Sequence, residues 1–143
     1  MSVASILAEK GRDVQTIQPH RTLAEAARIL SDRRIGAAVV TGADGAVLGI
    51  LSERDIVRAV SEAGPEALVE PVSRRMTAKV MTCTEESTIE TAMEVMTIGK
   101  FRHLPVVQAG RLTGIISIGD VVKRHIEKIE AETRAMRDYI AMA

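Results

Sequence analysis

Residues 49–55 read Gly49-Ile50-Leu51-Ser52-Glu53-Arg54-Asp55, and the pattern returns 65 residues later as Gly114-Ile115-Ile116-Ser117-Ile118-Gly119-Asp120. The repetition extends towards the N-terminus, where Thr22-Leu23-Ala24-Glu25-Ala26-Ala27 is matched 66 residues later by Thr88-Ile89-Glu90-Thr91-Ala92-Met93. A duplication this regular predicts two copies of one small unit that bury a face against each other. It also predicts paired clefts related by approximate twofold symmetry.

The length and composition are those of one compact body. The chain has 143 residues, and we divide it into repeat 1 at 1–66 and repeat 2 at 67–143. One repeat alone would have a marginal core, so the two are expected to fold together. Apolar residues make up 46% of the chain, but Phe101 and Tyr139 are its only aromatics, which predicts an aliphatic core.

The charge pattern excludes several classes of protein. Nineteen basic residues balance nineteen acidic residues, so no basic footprint for nucleic acid is present. No apolar run has the roughly 18 residues that a membrane span needs. The first ten residues do not resemble a secretion signal, and the single Cys83 excludes an intramolecular disulfide. We therefore expect a cytoplasmic protein.

The repeats have the pattern of a mixed α/β (α+β) fold. Each repeat has a capping signal at the start of a predicted helix, Thr22 with Glu25 in repeat 1 and Ser87 with Glu90 in repeat 2. Apolar residues with helical spacing follow each signal. Two short apolar segments joined by a Gly-containing turn follow each helix and predict a hairpin. A second helix is expected near Asp55 and Asp120. With opening strands near 14–17 and 80–83, each copy reads β-α-β-β-α.

The two repeats are expected to end differently. Gly64-Pro65 stops the second helix of repeat 1, and a linker is expected to run to about Pro71. The corresponding helix of repeat 2 has no breaker and is predicted to continue to Ala143. Its apolar residues step by four and three, as in a heptad: Val122, Ile126, Ile129, Thr133, Met136 and Ile140. This stripe packs either on the core of its own chain or on a partner or second copy.

The Ser and Asp of the repeated stretch are the first candidates for chemistry. Each Ser lies where a strand ends and a helix begins, and the free N–H groups of a helix start suit a phosphate. An ionised Asp in the first turn can accept hydrogen bonds from a ribose diol. Glycine within a strand, as at Gly49 and Gly114, indicates a close approach to the backbone. For a single copy, Ser and Asp are also ordinary helix caps, contributing about 0.5–2 kcal/mol; the recurrence favours a pair of ligand sites.

The sequence resembles a tandem pair of CBS (cystathionine-β-synthase) domains, an arrangement called a Bateman module. The stretches that carry the resemblance are Met76-Thr77-Ala78-Lys79-Val80, Phe101-Arg102-His103-Leu104-Pro105-Val106-Val107, Gly49 to Val57, and Gly119-Asp120-Val121-Val122. The resemblance implies two pseudo-twofold-related repeats and an allosteric sensing role. It also implies adenosine-containing ligands in the two clefts, of which the family binds AMP, ADP, ATP, S-adenosylmethionine and NAD.

The resemblance also implies roles for individual residues. Ser52 and Ser117 would contact phosphate, and Asp55 and Asp120 the ribose hydroxyls. The segments expected to border adenine are Thr16-Ile17, Thr82-Cys83, Ile35-Gly36-Ala37 and Phe101-Arg102-His103. The resemblance further implies that repeat 2 reaches phosphates with Lys100, Arg102 and His103. The equivalent positions of repeat 1 are Arg34, Gly36 and Ala37. Arg54 either compensates Glu53 or points to water. The clefts are therefore unequal in charge, so one binds more tightly or one extended ligand occupies both.

Catalytic and metal chemistry have little support. His20, His103 and His125 are scattered without metal-ligand spacing, and Cys83 is interpreted chiefly as a small core residue. No nucleophile–base pair or placed acid pair is recognised, so we expect a regulatory module and not an enzyme. We expect a homodimer, a separate effector protein, and an adenine nucleotide as ligand. The alternatives are NAD(H) or S-adenosylmethionine as ligand, or a ligand-free interaction scaffold that works through the C-terminal helix.

Overall fold

The computed structural model describes residues 1–142, and this part of the chain contains six α-helices and five strands. In chain order they are α1 (Val3–Lys10), β1 (Thr16–Ile17), α2 (Leu23–Arg33), β2 (Ala37–Thr41), β3 (Val47–Ser52), α3 (Glu53–Ala63), α4 (Val72–Arg75), α5 (Ile89–Gly99), β4 (His103–Gln108), β5 (Arg111–Ser117) and α6 (Ile118–Met142). A 3-10 helix, Gly64–Val69, lies between α3 and α4, where the sequence predicts a linker. The mixed helix and strand content confirms the predicted fold class.

The predicted order β-α-β-β-α is observed in repeat 1, but the opening strand predicted at 80–83 is wrong. In repeat 1, β1 runs parallel to β2, and β2 pairs antiparallel with β3. In repeat 2 the 80–83 segment is reduced to a single parallel bridge between Cys83 and Val106, so β4 and β5 form a two-stranded sheet. The register places Ser52 opposite Ala37 and Ser117 opposite His103, so both serines lie where a hairpin meets a helix.

The helix starts follow the capping patterns in one repeat and shift by one residue in the other. The hydroxyl of Thr22 accepts a hydrogen bond from the Glu25 N–H at 3.2 Å, as predicted. The predicted cap at Ser87 is wrong, because Thr88 caps α5 and accepts from the Thr91 N–H at 3.1 Å. The Ser87 hydroxyl accepts instead from the Thr84 N–H at 3.1 Å, which closes the turn before the helix.

The two repeats exchange segments. The Val3 N–H at the start of α1 donates to the Ser87 carbonyl at 2.8 Å, and the Val72 N–H at the start of α4 donates to the Arg21 carbonyl at 2.7 Å. These contacts are equivalent under the pseudo-twofold. The core of repeat 2 therefore contains Val3, Ile6 and Leu7 from α1, and the core of repeat 1 contains Ala67 and Val72. No pattern in the sequence indicates this exchange. Because of it, the core of each repeat depends on a segment of the other.

The exchange also explains the two glycines within strands. A Cβ built on Gly49 would lie 2.5 Å from the Thr77 carbonyl oxygen, and one on Gly114 would lie 2.8 Å from Cδ2 of Leu7. Thr77 and Ile50 form a bridge with N–H to O distances of 2.9 and 3.0 Å. The close approach predicted for these glycines is thus made by the exchanged segments of the chain itself.

The long C-terminal helix predicted for repeat 2 is present as α6, with 25 residues to Met142; the predicted end at Ala143 lies outside the described residues. α3 ends at Ala63 before Gly64, as the breaker pair predicts. The apolar stripe of α6 is exposed beyond the body of the fold, with Ile129, Met136 and Ile140 each about half exposed or more. None of the helices in residues 1–142 is both long and apolar enough to cross a membrane.

Candidate functional site

A cleft of about 440 Å³ lies between the repeats, and we call it the Asp55 cleft. The start of α3, the segment after α4 and the loop between α5 and β4 form its walls. Its lining residues are Gly36, Ile50, Ser52, Glu53, Arg54, Asp55, Arg58, Thr77, Val80, Lys100, Phe101, Arg102 and His103. The volume falls within the roughly 300–1,000 Å³ of pockets for small molecules.

Asp55 is a buried carboxylate with one oxygen committed to the fold. Its Oδ2 accepts from the Ser52 N–H at 2.9 Å and from the Ser52 hydroxyl at 3.1 Å. The Ser52 hydroxyl oxygen accepts in turn from the Asp55 N–H at 3.3 Å, which completes a capping box. The other oxygen, Oδ1, lies 3.8 Å from Nη1 of Arg58. The capping network fixes the carboxylate while Oδ1 keeps capacity for a hydroxyl donor.

Four cationic side chains line the same cleft as this carboxylate. Arg54 and Arg58 come from α3, and Lys100 and Arg102 come from the loop before β4. Lys100 has a φ of 56°, the left-handed conformation that ends α5 and turns the chain into the cleft. Against these four cations the lining contains two carboxylates, Glu53 and Asp55. The excess of positive charge suits an anionic ligand.

His103 lies on the repeat 2 side of the cleft and is half-buried. Burial lowers the pKa of His103 below its ordinary value, and Lys10 and Arg102 act in the same direction, while Asp120 and Glu53 partly oppose them. Gly36 lies across from His103, since a Cβ on Gly36 would be 2.8 Å from Oε1 of Glu53 and 3.9 Å from Cε1 of His103. A side chain at Gly36 would therefore collide with the carboxylate of Glu53.

The corresponding Ser and Asp of repeat 2 lie in a different environment, the Asp120 site. Oδ2 of Asp120 accepts from the Ser117 N–H at 2.8 Å, and the Asp120 N–H donates to the Ser117 hydroxyl oxygen at 3.1 Å. Nζ of Lys10 donates to the same Oδ2 at 2.7 Å and to the Ile115 carbonyl at 3.0 Å. Burial raises the pKa of Asp120, but the hydrogen bonds from Lys10 and Ser117 outweigh it and keep the pKa below its ordinary value.

The structure distributes the sequence candidates among several places. The Asp55 cleft contains eight of them: Gly36, Ser52, Arg54, Asp55, Lys100, Phe101, Arg102 and His103. Asp120 lines a separate cavity of about 170 Å³. Arg34 and Gly36 line a shallow groove between α2 and α3. Thr16 and Thr82 are exposed, Ala37 is buried in β2, and Ile17 and Cys83 belong to the two cores.

The sequence assigned no role to Ile50, Arg58, Thr77 and Val80 of the Asp55 cleft, nor to Lys10 of the Asp120 site. Arg58 had a signal, because it lies three residues after Asp55 on the same helix. Ile50 lies in the repeated stretch itself, whereas Thr77, Val80 and Lys10 are brought in by the exchanged segments, whose placement no local pattern indicates. Among residues 1–142, no group of three or more His, Cys, Asp or Glu is placed to hold a metal ion.

Comparison with known families and structures agrees with the duplicated architecture. The family model described as "CBS domain" matches residues 4–62 and again 69–127. The fold is similar to the crystal structure of a CBS-domain-containing protein from Agrobacterium tumefaciens, with a TM-score of 0.84 and 52% identity, covering 87% of this chain and 99% of that one. A CBS domain protein from Pyrobaculum aerophilum complexed with AMP gives a TM-score of 0.75 and 29% identity, covering 84% of this chain and 89% of that one.

Curated relatives are longer than the matched region. An uncharacterised 17.7 kDa protein from Acidianus ambivalens is 37% identical over 111 residues, which cover 77% of this chain and 66% of the relative. A mitochondrial CBS domain-containing protein from Arabidopsis thaliana is 32% identical over 123 residues, covering 83% of this chain and 60% of the relative. The chain thus spans about two thirds or less of these relatives.

Proposed function

The chain belongs to the CBS-domain family and contains a CBS pair, a regulatory module, and from this premise we propose that it senses an adenine nucleotide bound in the Asp55 cleft. The observation that carries the proposal is the geometry of Asp55. One carboxylate oxygen is fixed by Ser52, and the other faces Arg58 at 3.8 Å within a cleft of ligand size. A ribose diol needs such an oriented acceptor. The Pyrobaculum aerophilum relative complexed with AMP supports the ligand class.

The charge of the cleft favours a nucleotide among the adenosine compounds. Arg54, Arg58, Lys100 and Arg102 line the cleft and could hold a phosphate group there. Guanidinium groups bind phosphate oxygens in a bidentate way, and the start of α3 adds the positive end of a helix dipole. S-adenosylmethionine carries a sulfonium cation, which these side chains would repel. AMP, ADP and ATP are therefore the favoured ligands, with NAD(H) as the alternative.

The proposed mechanism is regulatory and not catalytic. Nucleotide binding bridges α3 of repeat 1 and the Lys100–His103 loop of repeat 2, so occupancy favours one relative position of the two repeats. A partner responds only if it has different affinities for the two positions. The effector is proposed to be a separate protein.

We extend the proposal to a homodimer formed through the helices. Apolar side chains are exposed on the helices of both repeats, with Val57 of α3 68% and Ile98 of α5 76% exposed. Val60, Val122 and Ile126 extend the same apolar character along α3 and α6. Large exposed apolar surfaces mark interaction sites. Sedimentation should therefore show that the wild type is a dimer and that Val57→Asp dissociates it. Leu48→Asp, at a partly exposed position on β3, is the control and should leave the dimer intact. An unchanged dimer in Val57→Asp would refute this surface as the dimer interface.

Thermal unfolding against AMP, ADP, ATP, NAD, NADH and S-adenosylmethionine tests the ligand. A nucleotide at about 100 times its Kd should stabilise the fold by about 2.7 kcal/mol. Asp55→Asn retains a capping oxygen but loses the charge and one acceptor, so it should lose most of the shift. Asp120→Asn is the matched control and should keep the response of the tighter site. No shift with any compound, or a full shift in Asp55→Asn, would contradict the proposal.

The alternative is an interaction scaffold that works through α6. The observation in its favour is the exposed heptad-like stripe, in which Ile129 and Met136 are 47% and 60% exposed. In that case assembly would be insensitive to nucleotides. Assembly would be lost in the double variant Ile129→Asp/Met136→Asp but retained in Asp55→Asn. If the protein is a nucleotide sensor, nucleotide binding should instead survive the two substitutions in α6.

A further inference from the structure

We propose that Lys10 is a latch on the second cleft, where its contact with Asp120 makes nucleotide binding weaker than in the Asp55 cleft. Nζ of Lys10 lies 2.7 Å from Oδ2 of Asp120 and 3.0 Å from the Ile115 carbonyl oxygen. This inference rests on the proposed function, since it assumes that the Ser-x-x-Asp stretch of each repeat receives the same class of ligand. Lys10 shares Oδ2 of Asp120 with the Ser117 N–H, so its ammonium group neutralises the carboxylate and weakens it as an acceptor for a ligand hydroxyl at Oδ1.

The position of Lys10 is fixed by the core of the other repeat. Val3, Ile6 and Leu7 of α1 are buried against repeat 2, and Lys10 follows them in the last turn of the same helix. The side chain is 36% exposed and that of Asp120 is 26% exposed, so the ion pair is partly shielded from water. Partial burial and two acceptors make the contact stronger than an ordinary surface ion pair, for which the median gain is small.

The pseudo-twofold shows why only one cleft has this latch. The start of α1 at Val3 corresponds to the start of α4 at Val72, which places Lys79 at the position equivalent to Lys10. α4 ends at Arg75, and the chain then pairs as an extended segment with β3 through Thr77 and Ile50. α1 instead continues as a helix to Lys10. The additional helical turn brings a lysine onto Asp120, while Lys79 forms no ion pair within the described part of the chain.

The space beside Asp120 is also small. A cavity of about 170 Å³ lies there between α1 and α6, lined by Ile6, Glu9, Lys10, Asp120, Lys123 and Arg124, without Ser117 in its wall. The Asp55 cleft is more than twice as large and includes its Ser52. The Asp55 cleft should therefore fill first, and the second should bind more tightly once the Lys10 ammonium group no longer neutralises Asp120.

Isothermal titration calorimetry with AMP tests the latch. Wild-type protein should bind one AMP per chain, with a second step about tenfold weaker or beyond detection. Lys10→Ala keeps a residue that favours helix and should strengthen the second step about tenfold without changing the first. Lys123→Ala is the matched control, because Lys123 lines the same cavity but pairs with Glu9 and not Asp120. Asp55→Asn/Lys10→Ala should retain the second step alone.

The outcomes separate the latch from the proposed function. Two equal steps in the wild type, or an unchanged or weakened second step in Lys10→Ala, would overturn the latch while leaving the Asp55 cleft as a nucleotide site. AMP binding to Lys10→Ala but not to the wild type would support the latch and refute the proposed site at Asp55. No binding to either protein would refute both. Circular dichroism checks the fold, and Lys10→Ser serves as a second variant if Lys10→Ala does not fold.

Discussion

Substitution of Gly49 by alanine should weaken both the fold and the nucleotide site, because Gly49 accommodates an exchanged segment. The added Cβ would lie 2.5 Å from the Thr77 carbonyl oxygen and 2.9 Å from Sδ of Met76. A backbone atom must then move by most of an ångström. The hydrogen bonds between Ile50 and Thr77, at 3.0 and 2.9 Å, are the first to break. Two such bonds contribute about 1–3 kcal/mol net, so we expect a loss of about 2 kcal/mol.

Gly114→Ala is the matched control, since Gly114 has the equivalent position in repeat 2. Its Cβ would meet Cδ2 of Leu7 at 2.8 Å, the end of a side chain that can adjust, and no backbone atom. We expect a smaller loss of about 1 kcal/mol, as for moderate overpacking of a core. Thr77 lines the Asp55 cleft, so Gly49→Ala should also weaken AMP binding, whereas Gly114→Ala should leave the tighter site unchanged.

Urea unfolding and thermal unfolding measure these differences. For a chain of this size, 2 kcal/mol corresponds to a fall in Tm of roughly 4–8 °C. If Gly49→Ala were as stable as the wild type, or if Gly114→Ala were the more damaging change, the exchange of segments would not have the role assigned to it. Unchanged AMP affinity in a clearly destabilised Gly49→Ala would show that the Thr77 segment is not part of the binding site.

Three further predictions concern single buried or half-buried side chains. Burial raises the pKa of the Cys83 thiol to about 11, so a disulfide reagent at pH 8 should label it only after urea unfolding; rapid labelling of the folded protein would contradict its place in the core. Burial lowers the pKa of His103, so the unfolded chain takes up the proton first as the pH falls below about 6.5, and stability present at pH 7.5 should be partly lost by pH 5.5. Urea titrations should show a smaller loss of unfolding free energy in His103→Gln. The same pH dependence in the variant and the wild type would argue against a lowered pKa of His103. Leu7→Ala should cost about 2–5 kcal/mol because Leu7 is fully buried, whereas Leu48→Ala, at a partly exposed site, should cost far less; similar losses would mean that α1 is not integral to the repeat 2 core.

The repeated stretch predicts the local structure well because its determinants are local. Ser52 and Asp55 cap the same helix that their spacing indicates, and Gly64 ends it. The predicted cap at Ser87 is wrong by one residue because Thr88 has the same chemistry, although the 66-residue offset from Thr22 indicates Thr88. The prediction of an opening strand at 80–83 is wrong because the apolar pattern there is too short to determine strand pairing without tertiary contacts.

The exchange of segments could not be read from the pattern. α1 begins after Ser2, which makes no side-chain cap, and its helix is twice as long as the equivalent α4. The ion pair of Lys10 with Asp120 joins residues 110 positions apart and exists only because α1 packs on repeat 2. The sequence nevertheless predicted unequal clefts from the cations of 100–102, and the structure places these side chains around Asp55. The adenine-bordering role of Thr16, Ile17, Thr82 and Cys83 stays a prediction.

The central claim is that the Asp55 cleft is the nucleotide site, and a crystal structure of the protein with AMP tests it most directly. We predict ribose hydroxyls within hydrogen-bond distance of Oδ1 of Asp55 and a phosphate held among Arg54, Arg58, Lys100 and Arg102. AMP bound first at Asp120, or bound outside the cleft between the repeats, would contradict the account.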